Sequence, residues 1–97
     1  MTSLTGSPYT ALFAALELRG WSWDEGFIYA PHRSIWLLGS DPWNGDLSDF
    51  HERMQGRLQR IVEQSSHYDD PQEHRNVVED TRGLVDALAV MLSERQT

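Results

Sequence analysis

The chain contains no cysteine and no lysine. The first absence excludes a disulfide framework, a thiolate metal site and a thiol nucleophile, and it is compatible with a reducing compartment. The second makes all eight basic residues arginine. Codon usage in a GC-rich genome is the plain explanation, although arginine is also the better residue for bidentate contacts to carboxylate or phosphate and for stacking on aromatic rings. Long apolar runs are missing too. No segment approaches the roughly 18 residues a membrane span needs, and MTSLTGSPY has no basic stretch leading into an apolar one. The expectation is therefore a protein without signal peptide or membrane span, cytoplasmic by default.

Positive charge is scarce. Eight basic residues stand against fifteen acidic ones, giving a net charge of −7 and a pI near 4.8. That balance disfavours unassisted binding to nucleic acid or to an anionic membrane, and it suits a partner with a basic surface. Ninety-seven residues with 39% hydrophobic and 10% aromatic composition are one domain's worth. We read residues 1–6 as a flexible polar N-terminus and 7–95 as a single α+β domain.

What is present is concentrated. All four tryptophans (Trp21, Trp23, Trp36, Trp43) fall between Gly20 and Gly45, with Phe27 and Tyr29. Before that stretch, Ser7-Pro8 reads as a helix start, and Tyr9, Leu12, Phe13 and Leu16 recur on one helical face that Ala11, Ala14, Ala15 and Leu18 broaden. This predicts a largely buried first helix over about 8–19, ended by Gly20 in a left-handed conformation.

From Trp21 the period becomes two. Asp24-Glu25-Gly26 and Pro31 to Ser34 read as turns, while Phe27 to Ala30 and Ile35 to Leu38 read as strands. Trp36, and one of Trp21 and Trp23, are expected in the core. Asp46 is expected to cap a second helix to about Gln64, with Leu47, Phe50, Met54, Leu58, Ile61 and Val62 as its apolar stripe and mid-helix Gly56 marking a close contact.

Asp70-Pro71-Gln72-Glu73 is the strongest helix-start signal in the chain. The third helix it opens presents Val77, Val78, Thr81, Leu84, Val85, Leu88, Met91 and Leu92 inward and outruns the width of a domain this size, so its end projects or is covered. The predicted fold is α+β: a two- or three-stranded antiparallel sheet packed on three helices, in the order α-β-β(-β)-α-α, with the last two helices an antiparallel hairpin.

No catalytic or cofactor motif emerges. His67, Asp69, Asp70, Glu73 and His74 are metal-ligand types within eight residues, but Asp70 and Glu73 have capping work to do and a cation is disfavoured at a helix N-terminus, so no metal or other cofactor is expected. His32, and His51 with Asp49 and Glu52, are candidates for acid–base chemistry without the spacing of a catalytic pair, and no catalytic residue is assigned. Arg53, Arg57 and Arg60 recur along one face of the second helix and could grip phosphate or an acidic ligand. Trp43, flanked by Asp41 and Asp46 in a Pro/Asn/Gly loop, either folds back as a lid on the core or stands out as an anchor for a protein interface, and it is the tryptophan to test first for function.

The functional expectation is accordingly a non-enzymatic, acidic protein-interaction module. It would act as an inhibitor or adaptor that occupies a surface of another protein through Trp43, Asp41 and Asp46. In size and charge it is comparable with immunity proteins and phage-encoded anti-defence proteins. The alternatives are a nucleic-acid or phosphate-ligand domain using Arg53, Arg57 and Arg60, and, more weakly, a small histidine-dependent enzyme. Homodimerisation is compatible with each.

Overall fold

The computed structural model describes residues 8–38 and 46–95. Within them the chain forms α1 (Pro8–Leu18), β1 (Ser22–Asp24), β2 (Phe27–Tyr29), β3 (Trp36–Leu38), α2 (Leu47–Glu63), a single 3-10 turn (Ser65–His67) and α3 (Pro71–Arg95). The fold is α+β in the order α-β-β-β-α-α, with one three-stranded antiparallel sheet ordered β1-β2-β3.

Local chemistry sets most boundaries. α1 ends in a Schellman motif: Gly20 has φ +96°, the Trp21 N–H donates to the Leu16 carbonyl and the Gly20 N–H to that of Glu17. Glu25 and Gly26, both at positive φ, make the two-residue turn between β1 and β2, as a primed hairpin turn requires. Asp46 caps α2 by accepting from the Asp49 N–H at 2.9 Å, and Asp70 caps α3 by accepting from the Gln72 N–H at 2.9 Å.

α3 is the spine on which the other helices lie. At about 1.5 Å per residue its length is about 38 Å, since it has 25 residues, and it outruns the two shorter dimensions of the molecule, 30 and 21 Å, and spans most of the longest, 49 Å. α2 runs back along it, tied by the His74 Nε2–H donating to the Ile61 carbonyl at 2.8 Å, with the Tyr68 ring against the His74 ring. One cluster joins Leu12, Phe13 and Leu16 of α1, Trp21, Ile28 of β2, Leu47 and Phe50 of α2, and Leu84, Ala87, Leu88 and Met91 of α3.

Several sequence expectations need correction. α1 buries only one face: Leu12, Phe13 and Leu16 are buried, but Ala11 and Ala14 are exposed and Leu18 is 91% exposed. Val62 stands at the edge of the α2 stripe, half in solvent. Gly56 marks no close contact, because a Cβ built there would meet nothing within 4 Å. Among the tryptophans, Trp21 is buried, whereas Trp36 is 56% exposed and lies outside the core. The reason is register. Trp36 points to the side of the sheet away from the helices.

Candidate functional site

Residues directly opposite one another in an antiparallel ladder share a face. The pairings Trp23 with Ile28 and Ile28 with Leu37 define an inner row, and this row meets the helices. Ile28 is completely buried, Leu37 is half-buried, and Trp23 at the edge packs edge-on against Phe13 of α1 with ring centroids 5.2 Å apart. Trp23 Nε1 donates to Glu17 at 2.9 Å, which satisfies the indole where it meets water.

The outer face holds the remaining pairs, Ser22–Tyr29–Trp36 and Asp24–Phe27–Leu38. Four of these six side chains are apolar or aromatic. Tyr29 lies at the centre, 6.3 Å from the Phe27 ring and 6.2 Å from the Trp36 ring. Trp36 and Leu38 are each more than half exposed. A three-stranded sheet with helices on one side normally shows water a polar second face. Here it shows an aromatic one.

One charged pair borders this face and partly covers its centre. Arg33, held at φ +58° in the turn after β2, lays its guanidinium 4.3 Å from the centre of the Tyr29 ring and reaches Asp24 at 3.4 Å. Left-handed backbone at a residue with a Cβ costs on the order of 1 kcal/mol. Cation–π contact at an exposed site returns about 0.5–1 kcal/mol.

The turn itself is fixed from behind by Asp80, an acid only 2% exposed on the inward side of α3. Its carboxylate accepts from the His32 N–H at 3.3 Å, the Ser34 N–H at 3.3 Å and the Ser34 Oγ–H at 2.7 Å. Such an acid is costly to bury unless its oxygens are bonded, and here three donors from one turn do that. His32 Nε2–H donates to Glu79 at 2.8 Å alongside. The pairing pins β2 and β3 to the helical layer. The His32 ring and the Ser34 hydroxyl are thus engaged with different carboxylates, and the geometry does not assemble them into a nucleophile and its base.

Around the β3 edge the aromatic face continues into a cavity of about 420 Å³, lined by Ser34, Ile35, Trp36 and Leu37 from the sheet side, Phe50, Met54 and Arg57 from α2, and Thr81 and Leu84 from α3. Thr81 Oγ1 is buried without a hydrogen-bond partner among the described residues. A shallower recess of about 290 Å³ lies further along α2 and is lined by Arg57, Arg60, Ile61, Gln64, Tyr68 and Val77.

Of the residues singled out from sequence, Asp41 and Trp43 lie outside the described residues, and Asp46 is exposed with its carboxylate on the Asp49 N–H. The arginine stripe is split. Arg53 Nε pairs with Asp49 at 3.0 Å, while Arg57 and Arg60 have no ion pair among the described residues and line the recess together. His51 is half-buried, with Nε2 sealed and without a hydrogen-bond partner among the described residues. In the acidic segment, Asp70 and His74 serve the helix cap and the contact between α2 and α3. No group of three or more histidines and carboxylates among the described residues is placed to hold a metal.

Sequence reasoning missed Asp80 and the outer face. Each left a signal: an acid on the apolar stripe of α3 between Val77 and Leu84, and two strands apolar at successive rather than alternate positions. No family model matches the chain, and no match was found among curated proteins or solved structures. No helix among the described residues is long and apolar enough to cross a membrane.

Proposed function

We propose that the chain is a protein-binding module, an inhibitor or adaptor, that docks another protein on the outer face of its sheet. The observation that carries this reading is the aromatic row on the side of the sheet opposite the helices, where Trp36 and Leu38 are more than half exposed beside the half-buried Phe27 and Tyr29. Exposed apolar patches of this kind mark interaction sites on soluble domains, and aromatic residues beside an arginine are the composition of interface hot spots. The net charge of −7 surrounds a face whose own charges, Asp24 and Arg33, cancel. A partner with an apolar centre and a basic rim would therefore be steered to it.

The test is a Phe27→Ser/Tyr29→Ser double variant, altered on the central strand. Tagged wild-type protein and the variant are compared for capture of host proteins, and the affinity for the captured partner is measured by calorimetry. Loss of binding with a retained cooperative melt supports the reading, and undiminished affinity sinks it. Arg57 and Arg60, which line a recess without ion pairs among the described residues, support a weaker alternative, an anionic ligand on α2. A gel shift with no retardation even at low salt would remove it.

A further inference from the structure

The edge of β3 presents more than side chains. In an antiparallel ladder, residues alternate between pairs that exchange backbone hydrogen bonds and pairs that do not. The Ala30 N–H donates to the Ile35 carbonyl at 3.1 Å, so that pair is bonded, and two residues along Ile28 and Leu37 are bonded again. Trp36 and Leu38 occupy the alternate positions. Their N–H and C=O groups therefore point away from β2, toward the edge of the sheet, since β3 is the last strand among the described residues. None of the turn, loop or cap hydrogen bonds among the described residues ends on Trp36 or Leu38.

Beside this edge lies the 420 Å³ cavity, walled by Ile35 and Leu37 and by Phe50, Met54 and Leu84, with Arg57 at its α2 side. Arg57 is without an ion pair among the described residues. A row of backbone groups without partners among the described residues calls for another backbone, an apolar hollow beside it for one large side chain, and a guanidinium without an ion pair there for a carboxylate. We propose that the groove between β3 and α2 takes an extended peptide segment of a partner protein by strand addition. An apolar side chain of the segment fills the cavity, the side chains before and after it extend the aromatic face beside Trp36 and Leu38, and a carboxylate of the segment pairs with Arg57. This rests on the protein-binding reading and specifies the partner's form. A second copy of the chain is the less favoured occupant, because each copy carries a net charge of −7.

The probe is a phage-displayed library of random seven-residue peptides, with the most enriched sequence synthesised and titrated into isotope-labelled protein. The expected result is that the Trp36 and Leu38 amides shift and exchange more slowly with solvent, and that the Met54 and Leu37 methyl signals move. N-methylation of alternate peptide residues abolishes binding. Arg57→Gln weakens the carboxylate peptide roughly tenfold and leaves its amide counterpart unchanged. An unenriched library, unprotected Trp36 and Leu38 amides, or an Arg57→Gln variant that binds the acid peptide as tightly as wild type would each overturn the proposal. So would a dimer seen by sedimentation that the peptide fails to dissociate. Leu38→Pro, which removes an edge N–H and spares the ladder to β2, separates the two proposals. A host partner that still binds this variant but is lost by Phe27→Ser/Tyr29→Ser leaves the docking reading standing and removes strand addition.

Discussion

The two faces of one small sheet are built from nearly the same residue types and have opposite surroundings. The inner row, Trp23, Ile28 and Leu37, meets α1 and the helical core, with Trp23 at the edge still 45% exposed. The outer set meets water in part: Phe27 and Tyr29 are half-buried, and Trp36 and Leu38 are more than half exposed. Hydrophobic burial stabilises a fold by roughly 25 cal/mol for each Å² of apolar surface removed from solvent. The inner row gains that on folding, while the outer set leaves much of the same gain unused. On the docking reading proposed above, these side chains have their explanation in what they touch after folding.

The comparison sharpens first where the expected effect is largest. Ile28 is completely buried, and Ile28→Ala should cost about 3 kcal/mol through lost transfer energy and the cavity left behind. For a domain this small that lowers the melting temperature by more than about ten degrees. A chemical-denaturation midpoint barely below wild type would mean that the inner row is not the core side of the sheet.

Next comes the tether that decides which face is inner. Asp80→Ala removes the acceptor for three donors of the Pro31–Ser34 turn and leaves two backbone N–H groups without it. The expected loss is about 2–3 kcal/mol, and Asp80→Asn, which keeps an acceptor, should lose less. Denaturant unfolding measures both. Amide exchange should show the β2–β3 turn opening before the helices do.

Trp36→Ala tests the outer face. The side chain is 56% exposed and has an aromatic cross-strand neighbour in Tyr29, so its removal should cost no more than about 1 kcal/mol. Partner binding should fall much further than stability. An unfolding loss as large as that of Ile28→Ala would break the distinction between the faces and place Trp36 in the folding core after all.

How far these faces were legible in the sequence depends on how local their causes are. Gly20, Asp46 and Asp70-Pro71 act within one helical turn, and each ends or starts a helix where the sequence indicates. The turns at Glu25-Gly26 and Pro31–Ser34 are local in the same way, and they fix three strands. Which side of the sheet is covered is not local. Phe27 to Ala30 and Ile35 to Leu38 carry no alternation to name an inner side, and assigning Trp36 to the core followed its size rather than any pattern. The partners of Asp80 lie 46 and 48 residues away in sequence. An acid on an apolar helix stripe announces that something must satisfy it without saying what. Gly56 failed for the opposite reason: a mid-helix glycine implies crowding only where another element passes close, and none does at that point among the described residues.

The smallest expected effect is at Arg33, and its smallness is informative. Arg33→Gly relieves a left-handed backbone strain on the order of 1 kcal/mol. It also forfeits the Tyr29 contact, about 0.5–1 kcal/mol, and an exposed ion pair to Asp24 worth roughly 0–0.5 kcal/mol. Glycine's greater freedom in the unfolded chain subtracts a further amount of about 0.5–1 kcal/mol. The sum is a loss of between zero and about 1.5 kcal/mol, so the denaturation midpoint should move little. If Arg33 is held over Tyr29 for the sake of the surface it completes, partner affinity should drop in the same variant. A large stability loss would instead make the Arg33–Tyr29–Asp24 group part of what folds the sheet, and the outer face would lose its standing as surface kept for a partner.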